Sequence, residues 1–176
     1  MAGRWRRLVL LPLLLALAAA AACRDSGGEG EFFEISGKLF VFNYRVATAT
    51  YVVTLNPLQP MREDQTAIAT FEDPAGGAPM VVKQKIWPKL RKVTLESDPL
   101  RCVVKSKPYA VSIAITNEDG SVAQKLETTI VSNLDQSVLP DKPLVVGPVY
   151  TPNPELAGHP DGQLPDDGTA PPCPAA

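Results

Sequence analysis

The sequence contains one histidine, His159, and it lies in a segment rich in proline, glycine and aspartate. Acid–base and nucleophilic catalysis need a base held within hydrogen-bond reach of its partner, and such a segment has little means of holding one. Zinc sites draw on clustered cysteine and histidine, whereas the three cysteines lie far apart in the sequence. Neither a phosphate-binding glycine loop nor a dinucleotide fingerprint is present. The sequence therefore predicts a non-enzymatic protein without metal or cofactor.

Excess basic charge is also absent. Residues 1–22 hold three of the 17 basic residues and no acid, so 14 basic residues remain against 19 acidic ones, a net charge of −5. Nucleic-acid-binding domains show the opposite balance, and no nucleic-acid partner is expected. No segment after residue 22 approaches the ~20 apolar residues that a membrane-spanning helix requires.

The amino terminus is the most distinctive segment of the chain. Three arginines within residues 1–7 precede an apolar run over 8–17, and five alanines then lead to Cys23. A basic start, a short apolar core and a small-residue exit are typical of a secretory signal, predicted here over residues 1–22. One alternative is an ordinary signal that is cut after Ala20 or Ala22, with Cys23 incidental.

The junction resembles the lipobox of bacterial lipoproteins, whose signal is cut before a cysteine that then carries lipid. Ala20 stands where that family usually has leucine. The resemblance implies acylation of Cys23, which anchors a protein to the membrane without spanning it. Because Arg24 follows the cysteine, where retained lipoproteins carry aspartate, the same resemblance favours the outer membrane, facing the periplasm.

Composition divides the remaining chain into three parts. Residues 23–31 are polar and glycine-rich, which predicts a lipid anchor followed by a flexible tether. Residues 32–150 are strand-like throughout and are expected to form one domain. Residues 151–176 hold seven prolines and four acidic residues without a base, and we expect this tail to be disordered because it lacks apolar content.

Period-two alternation over residues 32–150 predicts strands with one buried face, for example at 48–55 and 110–115. Asp119-Gly120 lies between two such runs and indicates a hairpin. The predicted strands are 34–44, 48–55, 66–72, 80–86, 91–97, 101–105, 110–115, 125–130 and 144–150, separated by turns rich in proline and glycine. About seven to nine short strands predict an all-β fold, an antiparallel β-sandwich of the immunoglobulin-like, Greek-key class.

Three features are candidate sites. Cys102 and Cys173 could form a disulfide in an oxidising compartment, or remain a buried and a free thiol. Residues 83–107 carry a net charge of +6, which fits either a solvated sheet face that protects an edge or a surface for an anionic partner, such as lipid headgroups, an acidic protein or the chain's own acidic tail. The candidate partner-binding residues are Lys83, Lys85, Trp87, Lys89, Arg91 and Lys92.

Phe40, Phe42 and Tyr44 share one face of a predicted strand. Such a row is either core packing or a platform on which a sugar stacks. Trp87 is the better candidate for an exposed aromatic side chain, its alternative being a cap over the edge of the core.

The order of features between residues 35 and 148 resembles small bacterial lipoprotein domains of the YbaY/YscW type. The matching elements are Ser36-Gly37-Lys38, residues 51–55, 93–95 and 108–113, and Asp119-Gly120. This resemblance implies a periplasm-facing β-sandwich on a lipid anchor, and some relatives act as pilotins for an outer-membrane secretin. The expected function is binding of another envelope protein without catalysis; the alternative is a carbohydrate- or peptidoglycan-binding module.

Overall fold

Alternating burial along the chain produces two stacked β-sheets in the computed structural model, which describes residues 31–165 and 172–174. In this part of the chain the strands are β1 (Phe33–Asn43), β2 (Thr48–Pro57), β3 (Thr66–Phe71), β4 (Met80–Lys85), β5 (Val93–Glu96), β6 (Pro108–Thr116), β7 (Val122–Val131), β8 (Val145–Val146) and β9 (Thr151–Pro152). Short 3₁₀ turns occupy Tyr44–Val46, Gln136–Val138 and Pro154–Leu156. Residues 31–176 form one compact unit.

The strands pair antiparallel in the orders β1-β2-β5 and β4-β3-β6-β7, with β8 and β9 forming a separate small ribbon. The chain changes sheets after β2, β4 and β5, so neighbouring strands come from distant parts of the sequence. This is the Greek-key connectivity of immunoglobulin-like sandwiches. The predicted all-β antiparallel sandwich is confirmed.

Inward-facing residues of both sheets form the core between them. Tyr51, Val53 and Leu55 of β2 are fully buried, as are Ile113 and Ile115 of β6. Burial of such apolar side chains contributes about 1.5–3 kcal/mol each, which is the main term that holds the sheets together.

An aromatic cluster forms part of this core. The ring of Tyr51 stacks on Phe71 with 5.3 Å between centroids, and Phe40 lies 4.7 Å from Tyr51 and 5.8 Å from Tyr109. Offset and edge-to-face contacts of this kind are favourable beyond the area that they bury.

A tyrosine stabilises the connection from β5 to β6. The hydroxyl of Tyr109, near the start of β6, accepts a hydrogen bond of 2.9 Å from the backbone N–H of Val104. This is the tyrosine corner found in immunoglobulin-like sandwiches. The strand predicted over 101–105 is wrong: outside one bridge between Lys105 and Ser132, these residues bond to side chains such as Asp135 and Gln136.

Strand direction defines two ends of the domain. The first described residues, loop 58–65, loop 86–92 and turn 117–121 lie at one end, which we call the tether end. The turn after β1, the connection from β3 to β4, the Tyr109 corner and the residues after β7 lie at the other, which we call the distal end. The two ends therefore expose entirely different loops.

Part of the tail that we expected to be disordered, residues 151–176, has defined structure. Residues 151–165 follow a defined path at the distal end. The side chain of Asn153 donates to the carbonyl of Pro143, and the N–H of Asp141 donates to the carbonyl of Gly162. Composition did not reveal this order because the segment is held by hydrogen bonds from side chains and backbone and by a single buried apolar side chain, Leu156.

Several predictions concern residues outside the described part of the chain. They are the signal over 1–22, acylation of Cys23, the tether as far as residue 30, and the tail at 166–171 and 175–176. They stay predictions. None of the described helical turns has the length and apolar content to cross a membrane.

Candidate binding surfaces

A groove of about 810 Å³ lies on the outer face of the four-stranded sheet, towards the distal end. It is built from adjacent outward-facing residues, because Ser112 of β6 pairs with Thr70 of β3 on one side and with Glu127 of β7 on the other. Its lining consists of Thr70, Glu72, Pro79, Ala110, Val111, Ser112, Glu127, Thr128 and Thr129.

Small side chains make this groove. Thr70, Ala110 and Ser112 project little from the sheet, so a partner can approach the strand backbone closely. The carboxylate of Glu72 accepts a 2.8 Å hydrogen bond from the N–H of Ala110, which fixes one acidic group at the rim. Together with Glu127, it gives the groove a negative charge that favours a basic group on whatever binds there.

The row of Phe40, Phe42 and Tyr44 is divided by the fold. Phe40 and Phe42 are half-buried and pack against the core, with 6.1 Å between their ring centroids. Tyr44 lies beyond the strand and is 48% exposed. The three rings therefore do not form a continuous exposed platform for a sugar.

The basic stretch 83–107 is also divided. Residues 83–92, with a net charge of +5, run from the outer face of β4 to the tether end, whereas Lys105 and Lys107 belong to the distal corner. All the candidate residues are exposed: Lys83, Lys85, Trp87, Lys89, Arg91 and Lys92. β4 is an edge strand, so its outward lysines also hinder edge-to-edge pairing.

A tight turn presents Trp87. The N–H of Leu90 donates 2.9 Å to the carbonyl of Trp87, and Pro88 occupies the second position, where its fixed φ favours such a turn. Trp87 is 50% exposed and Leu90 is 43% exposed. The ammonium of Lys85 lies 4.8 Å from the centre of the Trp87 ring, a cation–π contact that orients the indole.

Sequence reasoning missed an exposed cluster at the tip of the β8–β9 ribbon. Val149 is 77% exposed and Tyr150 is 59% exposed, and the guanidinium of Arg45 lies 5.2 Å from the Tyr150 ring. Tyr150 adopts φ 54°, a left-handed conformation that turns the chain after Gly147. The Gly-Pro dipeptide before Val149 was the available signal for this turn.

Three pairs of adjacent acidic residues, Glu63-Asp64, Glu72-Asp73 and Glu118-Asp119, lie at or beside turns. The carboxylate of Asp73 accepts from the N–H groups of Ala75 and Gly77, and Asp64 pairs with Arg62 at 3.1 Å. Hydrogen bonds from the Ser121 hydroxyl, and then from its backbone, hold the pKa of Asp119 below its usual value. Within residues 31–165 and 172–174, no three His, Cys, Asp or Glu residues are grouped to hold a metal ion.

Cys102 and Cys173 are joined in a disulfide, with 5.4 Å between their Cα atoms. The sequence had left this bond open against two separate thiols. The bond attaches the end of the chain to the distal corner, next to Val103 and Val104.

The comparisons with known proteins leave the family open. No protein-family model and no curated protein matches the chain. One solved structure, titled an endonuclease/exonuclease/phosphatase from Beutenbergia cavernae DSM 12333, aligns with a TM-score of 0.31 and 16% identity. The alignment covers 48% of this chain and 21% of that one, so this chain spans about a fifth of that chain's length. A likeness of this size carries no argument about fold or activity.

Proposed function

We propose that this chain is a non-catalytic, lipid-anchored protein of the bacterial envelope that binds another protein through the groove on its four-stranded sheet. The observation that carries the proposal is the groove itself, where the short side chains of serine, threonine and alanine lie between the carboxylates of Glu72 and Glu127. A partner segment with apolar groups and a basic side chain fits this lining, because hydroxyls and carboxylates accept hydrogen bonds from cations.

The lining also favours a protein partner over a carbohydrate. Sugars are commonly held by stacking on exposed aromatic rings, and none of the residues that line the groove is aromatic. A carbohydrate- or peptidoglycan-binding role therefore depends on single exposed rings such as Trp87. It is retained as the alternative outcome of the experiment below.

Membrane anchoring is proposed on the amino-terminal sequence, with Cys23 as the acylated residue and the outer membrane, facing the periplasm, as the location. The Cys102–Cys173 disulfide supports this location because disulfides persist in oxidising compartments. A role in assembling a larger envelope complex, as in pilotins, follows from the resemblance to the YbaY/YscW type.

Site-specific photocrosslinking tests the groove. A photoreactive side chain at Ser112 of the full-length protein, in the envelope of its own bacterium, is expected to capture a protein. The same side chain at Thr94 is the matched control, since Thr94 is exposed on the outer face of the other sheet. Adducts from both positions alike, or from neither, would contradict the proposal. Retention on peptidoglycan that is lost with Trp87→Ala would instead favour the carbohydrate role.

The anchor has a separate test. Protein isolated from membranes is expected to show the mass of acyl chains on Cys23, and Cys23→Ser is expected to move it to the soluble fraction. An unmodified Cys23 in membrane-derived protein would exclude the anchor while leaving the groove proposal intact.

A further inference from the structure

The tether end of the domain combines basic and apolar side chains. Loop 86–92 exposes Trp87 and Leu90 beside Lys89, Arg91 and Lys92. Protein surfaces that lie at the boundary between lipid headgroups and acyl chains typically combine aromatic and aliphatic side chains with cationic ones.

The start of the described chain lies at this same end. The N–H of Leu58 donates to the carbonyl of Phe32 at 2.9 Å, so loop 58–65 begins against the first described residues. That loop finishes against the basic loop, because the N–H of Ile86 donates to the carbonyl of Gln65 at 2.9 Å. Loop 58–65 therefore runs directly between the first described residues and loop 86–92.

Chain length restricts how far this end can lie from an anchor at Cys23. The eight residues from Cys23 to Glu31 reach at most about 28 Å even when fully extended. Acylation of Cys23 would thus keep the tether end within about 28 Å of the bilayer.

We propose that loop 86–92, together with Lys83 and Lys85, docks on the anionic lipid headgroups of the membrane that carries the Cys23 anchor. This proposal rests on the anchoring part of the proposed function. Trp87 and Leu90 enter the interface, and the surrounding cations contact phosphates. The domain is thereby held upright, with its distal end away from the membrane.

The charges at the tether end are arranged for this contact. Residues 83–92 contain five basic residues and no acid. The acidic turn at 117–121 joins β6 and β7, two to three strand spacings from β4, or about 10–14 Å. That separation exceeds the Debye length of about 8 Å at physiological ionic strength, so these acids weaken the attraction little. The acids nearer to the basic loop are Glu63 and Asp64 of loop 58–65; Asp64 is paired with Arg62 at 3.1 Å, which leaves that loop with a net charge of −1 against the five cations.

The chain's own acidic tail does not fit this surface. Residues 151–165 pack at the distal end, where the Tyr44 hydroxyl donates to the carbonyl of Asp161, and Cys173 is bonded there to Cys102. An acidic protein remains the competing partner for the basic loop and is an arm of the test.

The sequence supplies a specific probe, because Trp87 is the only tryptophan after the predicted signal. The test uses the chain from residue 23 onward with Cys23→Ser, which contains the whole compact unit 31–176. Vesicles of phosphatidylglycerol and phosphatidylcholine are expected to shift Trp87 emission to shorter wavelength and shield it from iodide. Vesicles of phosphatidylcholine alone should not change Trp87 emission. Raising the salt concentration should reverse the shift that the anionic vesicles cause.

Two charge-matched variants complete the experiment. Lys89→Gln/Lys92→Gln is expected to weaken vesicle binding by roughly 30-fold, whereas Lys105→Gln/Lys107→Gln at the distal corner should leave it unchanged. The absence of a Trp87 shift, or equal loss in both variants, would overturn the proposal. A shift with polyglutamate but not with vesicles would assign the surface to an acidic protein. Because this chain carries no lipid, these outcomes do not depend on whether Cys23 is acylated.

Discussion

Two buried tyrosines in the core have opposite hydrogen-bonding states. The hydroxyl of Tyr109 accepts from the backbone of Val104, whereas the hydroxyl of Tyr51 is buried without a hydrogen-bond partner among the described residues. A buried polar group without a partner costs about 1–3 kcal/mol, since it gives up its bonds to water. The same side-chain type therefore stabilises the fold at one position and opposes it at the other.

This contrast predicts opposite effects of one substitution. Tyr51→Phe keeps the stacked ring and removes the unpaired hydroxyl, so we expect the free energy of unfolding to rise by about 1 kcal/mol. Tyr109→Phe leaves the Val104 N–H without its acceptor, and we expect a loss of about 1–3 kcal/mol. Urea denaturation of both variants checks this, and a loss of stability in Tyr51→Phe would show that its hydroxyl is satisfied.

At the scale of single elements, β6 is one of the two inner strands of the four-stranded sheet. It pairs with β3 and β7, and its inward residues are buried along its whole length. Ile113 lies at its middle, pairs with Ala69 and Leu126, and is fully buried. A strand with neighbours on both sides has little freedom to close around a lost side chain.

Ile113→Ala is therefore expected to lower the free energy of unfolding by about 2–4 kcal/mol, through lost transfer energy and a cavity. Ala114→Ser, on the outward face of the same strand, serves as the control and should change stability by less than about 0.5 kcal/mol. Chemical denaturation of both variants is the measurement. Similar effects of the two substitutions would contradict the assignment of faces.

The disulfide joins Cys173, in the segment after β7, to Cys102 in the connection between β5 and β6. Cys102 and Cys173 are 71 residues apart in sequence. In the chain-entropy model, closing a loop of this length raises the free energy of the unfolded chain by about 4 kcal/mol, because it removes conformational entropy. Reduction, or Cys102→Ala/Cys173→Ala, is expected to lower unfolding stability by about 2–4 kcal/mol. The reductant should not lower the stability of the double variant further. An unchanged denaturation midpoint of the unsubstituted protein on reduction would contradict the predicted contribution of the disulfide.

For the whole molecule, the buried tyrosines also set a response to alkaline pH. Burial raises the pKa values of Tyr51 and Tyr109 above the usual 10.0, because it disfavours the charged phenolate. The unfolded chain therefore loses these protons at lower pH than the folded protein. The contribution of the two protonated phenols to the free energy of unfolding is therefore fully present below about pH 10 and is lost as the pH rises above that value.

We expect the urea midpoint to fall steadily once the pH passes about 10. The double variant Tyr51→Phe/Tyr109→Phe should lose much of this pH dependence, whatever its starting stability. Parallel pH profiles for the two proteins would show that other groups, such as lysines, account for the alkaline loss.

Local sequence patterns were sufficient for most of the strands. Alternation at 48–55 and 110–115 predicted β2 and β6, and Asp119-Gly120 predicted the turn before β7, where Gly120 has φ 82°. These features depend on neighbours in sequence, which is why they could be read without a structure. The run at 101–105 failed because its apolar residues serve an irregular corner, which pattern alone does not distinguish from a strand.

By itself the sequence determined the all-β class and the inward faces of the main strands, since both depend on local order along the chain. Tertiary structure decided the rest: the pairing of strands distant in sequence, the groove, the bond between Cys102 and Cys173, and the order of residues 151–165. It also divided one basic stretch between two ends of the domain and set part of it at the end where the first described residues lie. These properties depend on contacts between residues far apart in sequence, which periodicity and composition do not encode.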